Sequence, residues 1–270
     1  METLDALLDR LWKDYAAINK QADGIYSLLT SRGEKIINDH IAFRTFNIPK
    51  VGIEALTKTF IRFGYLPKGE YTFKEKKLFA RHYEHNNQSY PKIFISELKV
   101  EEMSAGLQKT VRQMVNQVPD ALVKKWDFCL SGVPWKKLKY DEYKTLLDES
   151  EYAGWMSVFG FRANHFTVFV NYLKSFKTLQ ELNEFLKSNG FKLNSSGGEI
   201  KGSPQEYLEQ SSTLAHPVVV EFADKKETIP ACYYEFAKRY PFPDGKLFHG
   251  FVAQSADKIF ESTNVKKPQK

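Results

Sequence analysis

The chain has 270 residues, enough for one large domain or two small ones. With 42% apolar and 27% charged residues it can bury a sizeable core, which excludes wholesale disorder. The net charge of +6 is spread thinly among interspersed acids, and the two cysteines, Cys129 and Cys232, make neither a disulfide framework nor a cysteine-based zinc site. No run approaches the roughly 18 apolar residues of a membrane span. The start, Met1-Glu2-Thr3-Leu4-Asp5, has no basic stretch followed by an apolar one. A reducing, cytoplasmic setting is therefore expected, with no membrane partner.

Leu4, Leu7, Leu8, Leu11 and Trp12 recur at helical spacing, and Tyr15 and Ile18 continue the face, so N-terminal helices are expected over 1–35. The pattern then changes. Asp39 to Phe46 reads as a strand closed by Pro49, followed by a helix from about Ile53 to Phe63 that Gly64 ends. Tyr71 to Phe73, Leu78 to Tyr83 and Lys92 to Leu98 read as three more strands. Residues 36–100 thus form a β-α-β-β-β module. Residues 101–160 carry Val111, Met114, Val115 and Val118 at helical spacing and a second helical stretch near Tyr140 to Leu147, which predicts a helical insertion anchored by Trp126 and Trp135.

The first pattern returns over 161–262. Asn164 to Val170 is a strand, Leu179 to Leu186 a helix ended by Asn189-Gly190, and Gly197-Gly198 a hairpin region. His216 to Phe222 and Cys232 to Phe236 complete the second module, and 263–270 read as a tail. Asp39-His40 opens one module and Asn164-His165 the other. Each module closes with a proline and then a strand ending in a carboxylate, Pro91 to Glu97 and Pro230 to Glu235. The fold class expected is α+β, with two β-α-β-β-β modules and added helices in one composite domain.

Of the six histidines, His40 and His165 hold the same place in both modules. Strand alternation puts His40, Ala42 and Arg44 on one face, His165, Thr167 and Phe169 on another, and Tyr233 with Glu235 on a third. Two imidazoles and one carboxylate on a curved sheet form the arrangement that holds a non-haem iron with open positions. Spacing alone does not choose between that and ordinary core histidines, because ligands on separate strands have no fixed sequence interval. Arg44 lies four residues, roughly 13 Å, along the strand from His40, within folding-back distance of a metal. It is either a bidentate carboxylate clamp or a surface ion pair. His82 and His85 are expected at an exposed turn. The glycine-rich stretch from Gly197 to Ser203 does not match a phosphate-binding loop, and a hairpin turn is the better reading.

The residues His40-x-x-x-Arg44, Asn164-His165-Phe166-Thr167, Gly197 to Ser203, Gln210-Ser211-Ser212-Thr213 and Tyr234-Glu235-Phe236 resemble the 2-oxoadipate dioxygenase/decarboxylase family, also called hydroxyglutarate synthases. The resemblance extends from about residue 5 to the segment Ala256 to Thr263. It implies a vicinal-oxygen-chelate-like half-barrel around Fe(II), with His40, His165 and Glu235 as metal ligands. It implies Arg44 as the catalytic and substrate-binding arginine, with Gln210 and Ser211 beside the substrate. Glu97, the apparent repeat partner of Glu235, is the alternative carboxylate. The partners implied are a small 2-oxo acid and dioxygen. The activity implied is oxidative decarboxylation, 2-oxoadipate going to 2-hydroxyglutarate and carbon dioxide in lysine catabolism, by a monomer or small homo-oligomer. The competing enzyme reading is a glyoxalase-like metal-dependent isomerase or lyase on the same fold. A nucleic-acid binder is not expected: the lysines alternate with acids, as in Lys74-Glu75-Lys76-Lys77, and no recognition motif appears.

Overall fold

A computed structural model describes residues 2–252. The last part of the second module, 253–262, and the expected tail, 263–270, lie outside the described residues. Helix α1 (Leu4–Ile18) begins where the Thr3 hydroxyl accepts from the Ala6 amide, and it buries Leu4, Leu7, Leu11 and Tyr15. Helix α2 (Lys20–Ser31) adds Ala22, Ile25 and Leu29 to the same core.

The first module runs β1 (Asn38–Phe46), α3 (Ile53–Ile61), β2 (Tyr65–Phe73), β3 (Leu78–His85) and β4 (Lys92–Leu98). Helices α4 (Ala105–Asn116), α5 (Asp120–Val123), α6 (Tyr140–Glu149) and α7 (Glu151–Phe159) then intervene. Helix α7 ends at Gly160, whose φ of +63° favours glycine and where a Cβ would sit 2.0 Å from the Gly132 carbonyl oxygen. The second module runs β5 (Ala163–Phe169), α8 (Leu179–Ser188), β6 (Lys201–Ser203), β7 (Leu208–Ser212), the pair β8 (Pro217–Glu221) and β9 (Lys226–Pro230), and β10 (Glu235–Arg239).

The main sheet has eight strands in the order β2-β3-β4-β1-β5-β10-β7-β6 and curls into a half-barrel. That order is one arrangement written twice. In each half the opening strand pairs parallel with the closing strand, β1 with β4 and β5 with β10, and the halves join at the antiparallel β1–β5 seam. The two-module α+β fold expected from the sequence is therefore present. The β1–β5 seam is central and covered on its outer face: Trp12 and Tyr15 of α1 meet Phe166 at ring distances of 5.2 and 5.0 Å.

Two elements differ from expectation. The run at 216–222 does not join the main sheet: β8 pairs with β9 as a separate ribbon between β7 and β10. The final strand begins at Glu235 instead of ending there. Every residue from Tyr233 to Ala237 is buried, so apolarity on both sides hides where the strand starts.

Candidate metal centre

Two β-bulges build the site. Along the β1–β5 seam Asn38 pairs Val168 and His40 pairs Thr167, so Asp39 is an extra residue; Ala42 pairs His165 and Phe43 pairs Ala163, so Asn164 is one too. In a regular strand, residues 39 and 40 point to opposite faces. The bulges relax that rule, and each side chain reaches the histidine that follows it. Asp39 Oδ1 lies 2.8 Å from His40 Nδ1, and Asn164 Oδ1 lies 3.0 Å from His165 Nδ1. Both rings are thereby oriented with Nε2 towards the hollow of the sheet.

There the two Nε2 atoms are 3.4 Å apart, and the Glu235 carboxylate of β10 completes a triangle, with Oε1 3.6 Å from His40 Nε2 and Oε2 3.3 Å from His165 Nε2. Metal–ligand bonds of about 2.1 Å, at angles between octahedral and tetrahedral, separate neighbouring ligand atoms by roughly 3.0–3.4 Å. The donor chemistry suits a divalent ion and the spacings lie close to that range, and among the described residues it is the group of that kind. All three side chains are buried. Burial pushes the Glu235 carboxyl up to about 8, although the Gln210 amide donates to it at 2.6 Å. Burial, then the neighbouring His40 and the Arg44 charge, hold His165 well below 6.5; burial also lowers His40, against the pull of Asp39. A bound cation would offset the desolvation of that carboxylate with both imidazoles neutral.

The surroundings are ordered by ion pairs. Arg239 of β10 grips Asp39 through Nε at 2.6 Å and Nη2 at 2.8 Å, and its Nη1 donates to the carbonyls of Phe248 and Gly250. That holds the segment at 248–250 so that Phe251 stands edge-on to His40, ring centroids 4.9 Å apart. The Thr167 hydroxyl lies 3.1 Å from His40 Nε2. On the other side, the Tyr233 ring stacks on His165 at 4.6 Å.

Arg44 shares the face of His40, as alternation requires, and it is buried rather than part of a surface ion pair. Helix α7 holds it: Nη1 lies 2.9 Å from Glu151 Oε1, and the guanidinium sits over the rings of Tyr152 and Trp155 at 4.9 and 5.1 Å. Gln210 reaches the triangle. Ser211 does not. One residue further along β7 it faces the other way, and its hydroxyl donates to Asn183 of α8 at 2.7 Å. Glu97 is also directed elsewhere, accepting from the Ile53 amide at the start of α3. His82 is buried, not at an exposed turn: Tyr71 and Glu84 bracket its ring at 2.9 and 3.1 Å. Sequence reasoning missed Asp39, Asn164, Thr167, Arg239, Tyr233 and Phe251 as parts of the site. Asp39 and Asn164 did carry a signal, an acceptor side chain immediately before each histidine.

Paired modules curled into a half-barrel around a His-His-carboxylate triangle define a vicinal-oxygen-chelate-like fold with a group that could hold a metal ion. A glyoxalase-superfamily protein from Ralstonia eutropha shares the fold at a TM-score of 0.77 and 20% identity, covering 91% of this chain and 84% of that one. The particular family is narrower: the 2-oxoadipate dioxygenase/decarboxylase family model matches residues 4–248, and the chain belongs to that family. A chloroplastic/amyloplastic 2-oxoadipate dioxygenase/decarboxylase from rice is 37% identical over 96% of this chain and 78% of its own length. The crystal structure of rice hydroxyglutarate synthase in complex with 2-oxoadipate superposes with a TM-score of 0.89 at 35% identity, over 96% of this chain and 91% of that one. A Shewanella frigidimarina protein provisionally named a hydrolase has a TM-score of 0.89 and 50% identity, over 94% and 99% of the two chains.

Proposed function

We propose that the protein is an Fe(II)-dependent oxidoreductase that takes 2-oxoadipate and dioxygen to 2-hydroxyglutarate and carbon dioxide. The observation that carries this reading is the buried triangle of His40, His165 and Glu235 with the Arg44 guanidinium on the same strand face. Membership of a family named for this reaction supports it, as does the likeness to a rice enzyme crystallised with 2-oxoadipate. Iron is favoured because two imidazoles and one carboxylate leave positions open for a chelating 2-oxo acid and dioxygen. When bound, the iron would supply the site at which dioxygen, the oxidant, is activated for decarboxylation and hydroxylation.

The chain's own residues do the rest. Asp39 and Asn164 fix the imidazole orientations, and Gln210 fixes one oxygen of Glu235. Arg44 takes the far carboxylate of the substrate in a fork geometry, which selects dicarboxylic over monocarboxylic 2-oxo acids. A cytoplasmic location and a monomeric or small homo-oligomeric state belong to the same proposal, and among the described residues no helix is long and apolar enough to cross a membrane.

The test is oxygen uptake by Fe(II)-loaded protein across a panel of 2-oxo acids, with the products identified. Uptake is expected with 2-oxoadipate, yielding equal amounts of 2-hydroxyglutarate and carbon dioxide. Turnover of a 2-oxo acid without oxygen would instead support the isomerase or lyase reading. No uptake with any acid refutes the dioxygenase.

A further inference from the structure

Tyr233 is fully buried, yet its phenol oxygen has no hydrogen-bond partner among the described residues. A buried hydroxyl without a partner is unfavourable, and where one persists beside a site it marks a place for a ligand atom. Its surroundings name that ligand. The ring lies flat against His165, with centroids 4.6 Å apart and planes 24° from parallel. It lies two positions before Glu235, and its stacking on His165 puts it on the hollow side of the chain. Arg44 lies on the same side: its guanidinium sits over Trp155 at 5.1 Å, and the Trp155 indole N–H donates to the carbonyl of Ala231, two positions before Tyr233, at 2.7 Å.

Packing alone does not require this oxygen. The phenylalanine ring would stack on His165 equally well. The next residue makes the contrast. Tyr234 also has a buried oxygen without a partner, but its ring packs on the opposite side of the chain against Trp12 and Tyr15 of α1, where there is no chemistry.

We propose that Tyr233 is a substrate-contact residue whose phenol O–H donates a hydrogen bond to the far carboxylate of the bound 2-oxo acid, sharing that group with Arg44. This rests on the function proposed above. An oxygen acceptor there would satisfy the phenol, and the phenol would supply a donor from a direction the guanidinium does not cover. Arg44 would bring the charge and Tyr233 the angle, so their combination discriminates a planar carboxylate from a smaller polar end group.

The experiment is an anaerobic calorimetric titration of the Fe(II)-loaded full chain with 2-oxoadipate and with 2-oxohexanoate, which has a methyl group in place of the far carboxylate. Tyr233→Phe should keep its metal content and bind 2-oxoadipate roughly tenfold or more weakly, with 2-oxohexanoate unchanged. Tyr234→Phe, the control that deletes the other buried oxygen, should change neither. Steady-state kinetics should show the Tyr233→Phe effect mainly in KM. Unchanged affinity for 2-oxoadipate overturns the proposal. So does an equal weakening of both acids, or loss of metal, because then the ring acts only through His165. If the native protein binds 2-oxoadipate but consumes no oxygen, the dioxygenase reading falls while this contact is still judged by the affinity ratio. Binding of neither acid by the native protein removes both.

Discussion

Replacing Arg239 by Met keeps a long apolar side chain and removes the guanidinium that holds Asp39 at 2.6 and 2.8 Å. Both partners are buried, at 2% exposure for each residue, so water cannot take over the lost contacts. Breaking one side of a buried ion pair typically costs about 3–5 kcal/mol, because the surviving charge stays uncompensated. Arg239 also loses its bonds to the Phe248 and Gly250 carbonyls, which places the expected cost at the upper end. Asp39→Asn is the informative companion. It gives His40 the neutral partner that His165 already has in Asn164, but strands the guanidinium. In the double variant neither charge remains, so the two penalties should not add: a coupling of at least about 2 kcal/mol is expected from the cycle. Urea unfolding of metal-free protein measures all four species, and metal titration follows alongside. Asp39→Ala, which removes the His40 acceptor altogether, should weaken metal binding roughly 10- to 100-fold. Single-variant costs that sum to the double-variant cost within about 0.5 kcal/mol would refute the reasoning, since independent sites behave that way.

Three other outcomes follow from the same geometry. His165→Ala and Glu235→Gln should each abolish tight metal binding, measured as metal content after dialysis, while circular dichroism shows the fold retained. Glu235, raised by burial to about 8, stays protonated in metal-free folded protein at neutral pH but ionises above roughly 4.5 when unfolded. Its contribution to stability is thus complete below about pH 4.5 and fades as pH rises towards 8, by an amount on the order of 5 kcal/mol. Metal-free protein should lose urea resistance over that range, whereas metal-loaded protein should not; a flat profile for the metal-free form would contradict the assignment. Ser211→Ala should cost about 1–3 kcal/mol of stability through the broken bond to Asn183 and leave the KM for 2-oxoadipate unchanged.

Much of the scaffold was legible because it follows simple periods. The stripes of α1 and α8 and the alternation of β1 and β5 are visible in the residues, and alternation correctly grouped His40 with Arg44 and Tyr233 with Glu235. The repeat was legible too, but one of its equivalences was misleading. Glu97 and Glu235 look like partners because each follows a proline. The register says otherwise: Ala42 pairs Phe94 just as Thr167 pairs Glu235, so Phe94 is the counterpart of Glu235, and Glu97 lies further along. Neither bulge was visible. One inserted residue leaves no trace in a single sequence, yet it decides that Asp39 and Asn164 reach the histidines. The run at 217–221, with three consecutive valines, reads like a main-sheet strand, but what it pairs with is set by tertiary packing that its own residues do not encode.

The two modules share a backbone plan and divide the chemistry. Each supplies one histidine and one bulged acceptor at matching positions. Beyond that they part. Where the second module has Glu235 the first has Phe94, and where the first has Arg44 the second has Phe169. The carboxylate ligand thus comes from one side of the seam and the guanidinium from the other, which gives an otherwise pseudo-symmetric hollow a direction. The ion pair that steadies His40 crosses the seam as well, with Asp39 on β1 and Arg239 on β10. A symmetric pair of histidines would hold a metal without orienting a substrate. Under the proposed function, the apolar rings at one copy of each polar position would give a dicarboxylic acid a single way to lie, its chelating end over the triangle and its far end towards Arg44 and α7.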